Sequence, residues 1–380
     1  MNENEKIYQI ALTQLKGVGF RNAQKIIHKT PHLQQFFSCS KSDLSQLLGI
    51  QPSVANSLHL QFSQALDIAQ KELEFCHQHN IQPLFFTDDA YPARLLECSD
   101  APLLLYTKGN FDANNGKFIS IVGTRNATQY GKQQCQELVA DLATKIPDCV
   151  IVSGLAYGID ISAHKAALDA HLPTIAVLAG GLKRIYPREH HKYIGDILQN
   201  GGIMTEQLYH DFAERHFFLQ RNRIIAGMAD AVIVMESAAK GGALVTASIA
   251  GTYNKDVFVY PGRCNDAASA GCNALIKHNK AALIENADDL LQAMCWYTNT
   301  ASITPTTPSS IAHTSIFQNL SDEDKKIVIC LEQYQHLHID HLSELVAIKV
   351  EDLLPMLLLL EFQGIVVCLP GNRYQLIVKG

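Results

Sequence analysis

The chain has ten cysteines but no C-x-x-C pair among them. Several, such as Cys149 and Cys330, fall in apolar segments, so they read as small buried residues rather than as disulfides or a zinc site. No hydrophobic run approaches the length of a membrane span, and the opening residues MNENEKIYQI lack a signal-peptide pattern. No membrane association is expected, and the cytoplasm is the expected location. Excess positive charge is absent too: 31 Lys and Arg stand against 37 Asp and Glu, a formal net charge of −6. That excludes a surface coated in basic charge but leaves room for a local basic groove, because nucleic-acid binding depends on where the cations cluster. The remainder is ordinary for a globular protein, with 47% hydrophobic and 18% charged residues over 380 positions, enough for two or three domains.

The stretch FISIVGTRNATQYG (118–131) organises the rest. Phe118 to Val122 are apolar or small and β-favouring, as in a strand buried on both faces. Gly123 allows a tight turn, Arg125 stands at its mouth, and from Thr128 the pattern turns helical, with Cys135, Leu138, Val139 and Leu142 in register. Strand, glycine turn and helix open a βαβ unit whose helix N-terminus offers free N–H groups to an anion, and the adjacent arginine makes phosphate the natural ligand. The turn is not a nucleotide loop. It lacks the second glycine of G-x-G-x-x-G, and seven residues separate Gly123 from Gly131-Lys132 where a P-loop has four. ATP and NAD are unsupported, and no cofactor is expected.

Taken in order, residues 12–27 (LTQLKGVGFRNAQKII) fit a helix–hairpin–helix built on Gly17-Val18-Gly19, with a weaker copy at Leu47-Leu48-Gly49-Ile50. Turn amides of this kind can hold a DNA phosphate, but tight helix packing is the expectation here. A helical run follows from about Ser57 to His79, then a strand at Leu103–Tyr106. From Phe118 onward, strands at Cys149–Ser153, Thr174–Ala179, Ile203–Thr205, Ala231–Met235 and Asp256–Tyr260 alternate with helices near 158–169, 189–199, 216–227 and 243–253. The alternation predicts an α/β fold: a central Rossmann-like parallel sheet with helices on both faces and function at the carboxyl ends of its strands. Residues 298–318, rich in Thr, Ser and Pro, read as a linker. Helices over 321–333, 340–347 and 349–362, then strands Ile365–Leu369 and Tyr374–Val378 around Gly371-Asn372, predict a winged helix. The expected domains are therefore a helical one over 1–80, the Rossmann-like one over 81–297, the linker, and the winged helix over 319–380. The last helix of the tail sets one lysine against Glu351, Asp352 and Glu361, which suits protein contact or weak DNA contact better than groove reading.

The strand-end motifs GTRNATQYG (123–131), SGLAYGIDISAH (153–164), AGGLKRIYPREH (179–190), RNRIIAGMADAVIVMES (221–237), KGGALVTA (240–247) and PG…GCNALI (261–276) together resemble the DprA/Smf family of bacterial DNA-processing proteins, over nearly the whole chain. The resemblance implies a homodimer that binds and protects incoming single-stranded DNA during natural transformation and loads a RecA-type recombinase, without enzymatic turnover. Carried over by motif, Arg125 would grip a phosphate beside Gly123, Lys183 would flank the strand, and Arg221, Asn222 and Arg223 would complete a positive pocket, with Phe217 just ahead. On the residues alone, Arg125, Lys183, Arg184, Arg221 and Arg223 fall near strand ends, and Tyr130, Tyr186 and Phe217 could stack bases. Gly154, Gly158, Gly180, Gly181, Gly241 and Gly242 offer close backbone approach to phosphates or simple turn geometry.

Other patterns weigh less. Ser153, Asp160 and His164 suggest a hydrolase triad, but no G-x-S-x-G elbow is present, and Asp160 and His164 are expected to pair one turn apart on a helix. The H-x-H-x-D-H run at 336–341 suggests a metal site, yet it bridges two helices, where Asp340 is the expected N-cap. The rival function is a nucleotide phosphoribohydrolase on a related fold, whose P-G-G-x-G-T-x-x-E motif is missing its leading proline, third glycine and glutamate at 240–247.

Overall fold

The computed structural model describes residues 3–296, 320–334, 336–369 and 371–377; the linker expected over 298–318 lies outside them. The chain divides into two compact units, residues 1–285 and 286–380.

The first unit begins with helices α1 (Glu3–Thr13), α2 (Phe20–Lys29), α3 (Leu33–Phe37), α4 (Lys41–Leu48), α5 (Pro52–His59) and α6 (Phe62–Gln78). The expected run from Ser57 to His79 is thus two helices. Between them, the Gln61 side chain accepts the Lys16 backbone N–H at 2.8 Å and locks the turn. These helices do not form a separate core. Ile10, Leu12 and Phe36 belong to one apolar cluster with Phe118 and Val234 of the sheet. Glu72 of α6 also accepts the Tyr209 backbone N–H at 2.6 Å. The boundary expected near residue 80 is therefore no break in packing.

The sheet follows, with strands β1 (Gln82–Phe85), β2 (Leu104–Asn110), β3 (Lys117–Val122), β4 (Cys149–Ser153), β5 (Thr174–Val177), β6 (Gly201–Thr205), β7 (Ala231–Val234), β8 (Asp256–Val259) and β9 (Ala282–Leu283). Helices α7 (Ala93–Leu96), α8 (Gln129–Lys145), α9 (Ile159–Asp169), α10 (Ile194–Gln199), α11 (Arg215–Met228), α12 (Gly242–Thr252) and α13 (Ala270–Lys277) lie between them. Among the described residues the strand order is β1-β2-β6-β5-β4-β3-β7-β8-β9. From β6 to β9 every pairing is parallel, whereas β2 joins β6, and β1 joins β2, antiparallel. Strands β3 to β7 are almost wholly buried because Val, Ile and Ala fill both faces. The polar exceptions find backbone partners: Ser120 Oγ donates to Ile225 O at 2.7 Å and Ser153 Oγ to Ile121 O at 2.6 Å.

Order runs one way from β3 to β6 and then returns to the other side of β3 with β7. Crossovers of one hand put α8 and α9 on one face and α11 and α12 on the other. The reversal leaves a crevice at the carboxyl ends of β3 and β7, the position where such sheets bind ligands.

The second unit contains a winged helix. Helices Asp322–Tyr334, Ile339–Val346 and Val350–Phe362 bury Ile327, Leu331, Leu342, Leu353 and Leu357 in a common core. Strands Val366–Leu369 and Arg373–Leu376 form the wing, and the short strand His336–His338 pairs with the latter. The H-x-H alternation is thus strand periodicity. His338, not Asp340, is the N-cap of the helix after it, accepting the Asp340 N–H at 3.3 Å. Among the described residues no cluster is arranged to hold a metal ion, and no helix is long and apolar enough to cross a membrane.

Candidate nucleic-acid interface

A cavity of about 280 Å³ occupies the crevice. The loop after β3 contributes Gly123 and Arg125, the turn after β7 contributes Ser237, and the start of α12 contributes Gly241, Gly242 and Ala243. One face of α11 closes it with Phe218, Arg221, Asn222 and Ile225, and Lys240 and Asp160 complete the wall.

The Arg125 loop is held from both sides. Thr124 N–H donates to Glu236 O at 2.7 Å, and Ile159 N–H donates to Thr124 O at 3.2 Å. Gly158 makes the second contact possible: its φ is +77°, and a Cβ there would lie 2.1 Å from Thr124 O. Gly123 packs against Ile159. The N-terminus of α8 does not serve as the anion site that the sequence suggests. Glu236, buried, accepts Thr128 N–H at 2.8 Å and Thr128 Oγ–H at 2.7 Å, so the protein's own carboxylate occupies that helix end. The open end belongs to α12. Its N-cap is Gly241, no side chain caps it, and Gly242 faces open space. With no side-chain cap among the described residues, the first N–H groups of α12 and the positive end of its dipole adjoin a cavity that Arg125 and Lys240 also line.

Arg221 is 4% exposed and reaches under the floor of the cavity. Its Nη1 donates to Gly154 O at 2.6 Å and to Val177 O, tying the ends of β4 and β5 together. Gly154 is what leaves room for it, since a Cβ would lie 2.2 Å from Nη1. Its Nε has no partner among the described residues. Burial lowers the Arg221 pKa to about 10, with Asp160 opposing and Arg125 adding to the shift, so it stays charged at neutral pH. Burial raises the Asp160 pKa while Arg221 and Arg125 favour its ionised form. Three cations against one carboxyl leave the cavity positive.

An aromatic edge adjoins the cations. The Arg125 guanidinium lies 4.8 Å from the Phe218 ring centroid, and Tyr186, 47% exposed, meets Phe218 edge-on at 5.5 Å. Phe217 instead contacts His216, outside the cavity. Arg223 is elsewhere as well: it pairs with Glu206 and donates to Asp100 O. Lys183 is exposed beside His210 Nδ1 at 3.0 Å, Arg184 covers Phe212, and Gly181 sits in a loop bonded to Asp211 O, all outside the cavity lining. Phe218 and Lys240 are two ligand-competent cavity residues that sequence reasoning did not assign to the site. Nor do Ser153, Asp160 and His164 form a triad or a local pair. Ser153 donates to Ile121 O, Asp160 accepts Ala156 N–H at 3.4 Å, and His164 Nδ1 meets Thr174 Oγ1 at 2.7 Å.

The model of the DNA recombination-mediator protein A family matches residues 82–295. The chain belongs to that family. The model of the DprA winged helix domain matches residues 307–372, in agreement with the wing found in the second unit. Among curated members, Protein Smf of Synechocystis is 30% identical over 99% of this chain and 100% of its own. DNA processing protein DprA of Streptococcus pneumoniae is 32% identical over 75% of this chain and 98% of its own. The X-ray structure of the Streptococcus pneumoniae protein superposes with a TM-score of 0.65 at 31% identity, covering 75% of this chain and 97% of that one. A structure of DNA processing protein A from Helicobacter pylori, which addresses its single-stranded DNA binding mode, gives a TM-score of 0.52 at 33% identity over 57% of this chain and 97% of that one. This family member thus carries the Rossmann-like sheet, the helical N-terminus and the winged helix expected of it.

Proposed function

We propose that the protein binds single-stranded DNA along the carboxyl edge of the sheet, protects it, and passes it to a RecA-type recombinase, acting as a homodimer without chemical turnover. The observation that carries the binding reading is the crevice between β3 and β7, where Arg125 and Lys240 line a cavity with an uncapped helix N-terminus over the buried Arg221. A phosphate seated there receives N–H groups from α12 and charge from Arg125 and Lys240, with Asn222 as a further donor. Bases lie against Phe218 and Tyr186, whose faces accept any base. Lys183 flanks the strand outside the cavity. Gly241 and Gly242 permit the close approach of the backbone, whereas Gly123, Gly154 and Gly158 shape the frame behind it.

The test is a binding titration with Arg125→Glu and Lys240→Glu. Each variant is expected to stay folded by circular dichroism and to lose about tenfold or more in affinity for single strands, because a phosphate now meets a negative charge. Lys183→Glu, further out, is expected to cost less. For the unaltered protein, log K should fall against log salt with a slope of roughly −2 to −4, about −0.7 for each phosphate contacted. Folded Arg125→Glu and Lys240→Glu variants that bind like the parent would sink the reading.

A further inference from the structure

The N-terminal helices hold a second concentration of charge, separate from the sheet crevice. Between residues 14 and 61 the chain carries Lys16, Arg21, Lys25, Lys29 and Lys41 against a single acidic residue, Asp43, in a protein whose formal net charge is −6. Asp43 is engaged in the capping box of α4, where it accepts from the Ser40 N–H and hydroxyl. Lys16, Arg21 and Lys25 are exposed and have no acidic partner among the described residues. Lys29 donates to the Leu47 carbonyl and so braces α2 against the last turn of α4.

These charges converge. A cavity of about 380 Å³ lies between the Gly17 turn, α2 and α5, and Lys16, Lys25 and Lys29 line it. Lys25 and Lys29 are one turn apart on α2, with Arg21 a turn before them. Helix α2 starts after Gly19 with no side-chain cap and no acidic residue in its first turn. The cavity is lined by neither a carboxylate nor an aromatic ring. A surface of lysines and turn amides without a ring binds phosphates and offers unpaired bases nothing to stack on. It therefore favours the form with the densest phosphates, the duplex, which carries about one charge per 1.7 Å of axis.

We propose that residues 14–61 form a second DNA contact, directed at the backbone of duplex DNA through Lys16, Arg21, Lys25 and Lys29. With a single strand in the sheet crevice, the protein then holds both arms of a junction between paired and unpaired DNA.

The experiment compares binding of the full chain to a blunt duplex, to a single strand of the same sequence, and to a duplex with a single-stranded tail. Lys16→Glu/Lys25→Glu is expected to lose about tenfold or more in duplex affinity and to make the salt slope shallower by about 1.8, at about 0.9 per phosphate for two contacts. Single-strand affinity stays within about twofold. The neutral pair Lys16→Gln/Lys25→Gln is expected to show a smaller loss in the same direction, which keeps the test valid if charge reversal disturbs the fold. Unchanged duplex binding in the folded variants overturns the proposal. So does an equal loss for both DNA forms, or a duplex affinity that disappears with Arg125→Glu instead. A single-strand defect confined to Arg125→Glu would leave the crevice reading intact whichever way the lysine variants behave.

Discussion

Arg221 illustrates how a charged residue at a binding site can work without touching ligand through its charged end alone. A buried guanidinium is tolerable only when its N–H groups find acceptors and an opposite charge lies near, and here the carbonyls of Gly154 and Val177 and the carboxyl of Asp160 fill those roles. The same guanidinium acts on His164, which is also buried. Desolvation first, then Arg221 and His190, lower the His164 pKa from 6.5 to about 3, against a smaller upward pull from a Ser153 backbone hydrogen bond. The folded state therefore holds His164 neutral, donating Nδ1–H to Thr174, whose hydroxyl donates onward to Ile151 O at 3.0 Å. In the unfolded chain the histidine takes a proton as pH falls below about 6.5, whereas the folded chain resists until about 3. Between those values the unfolded state binds more protons, so this histidine's contribution makes stability rise with pH and fall on acidification. His164→Gln, which keeps a polar side chain without the titration, is expected to flatten that acid limb. Urea midpoints for both proteins at pH 4.5 and pH 7 provide the check, and identical pH dependence would remove His164 from the account. None of this could be read from the sequence, because an arginine at a strand end looks alike whether it points to solvent or into the floor.

At the scale of a helix, more was legible than was used. Phe218, Arg221, Asn222 and Ile225 are spaced at 0, 3, 4 and 7, one stripe of α11, and all four line the cavity. Phe217 and Arg223 fall off that stripe by the 100° step of the helix, which is why they face His216 and Glu206 instead. Helical periodicity applied inside RHFFLQRNRIIAGM would have chosen Phe218. The contrast gives a direct comparison. Phe218→Ala is expected to weaken single-strand binding by about 1–3 kcal/mol while leaving the salt slope unchanged, since stacking rests on ring faces and not on charge. Phe217→Ala is expected to bind as the parent does. If the two effects are reversed, the aromatic edge has been misassigned. The choice between helix ends was not legible in the same way. Both α8 and α12 start after a strand, and only a contact over 108 residues, from Thr128 to Glu236, reveals which end is already occupied.

For the molecule as a whole, the regular alternation of apolar strands and helices made the parallel part of the sheet and the crevice legible, because periodicity and crossover handedness together leave few topologies. The antiparallel strand β1, the shared core of the N-terminal helices and the three-residue strand in the winged unit were not, since each depends on a partner distant in sequence. The second unit bears on how far DNA binding is distributed. In helix Val350–Phe362 the first turn carries Glu351 and Asp352, and Leu354, Leu358, Leu359 and Phe362 are exposed, the last at 80%. A groove-reading helix needs donors and cations on its outer face, whereas this one offers carboxylates followed by leucines. Such a face suits contact with protein and repels phosphate. Removing residues 319–380 is therefore expected to leave single-strand affinity within about threefold of the parent, under about 1 kcal/mol. The first unit keeps its whole core and both cavities in that truncation. A well-folded truncation that loses nearly all single-strand binding would transfer the principal DNA contact to the winged helix, in spite of its charge.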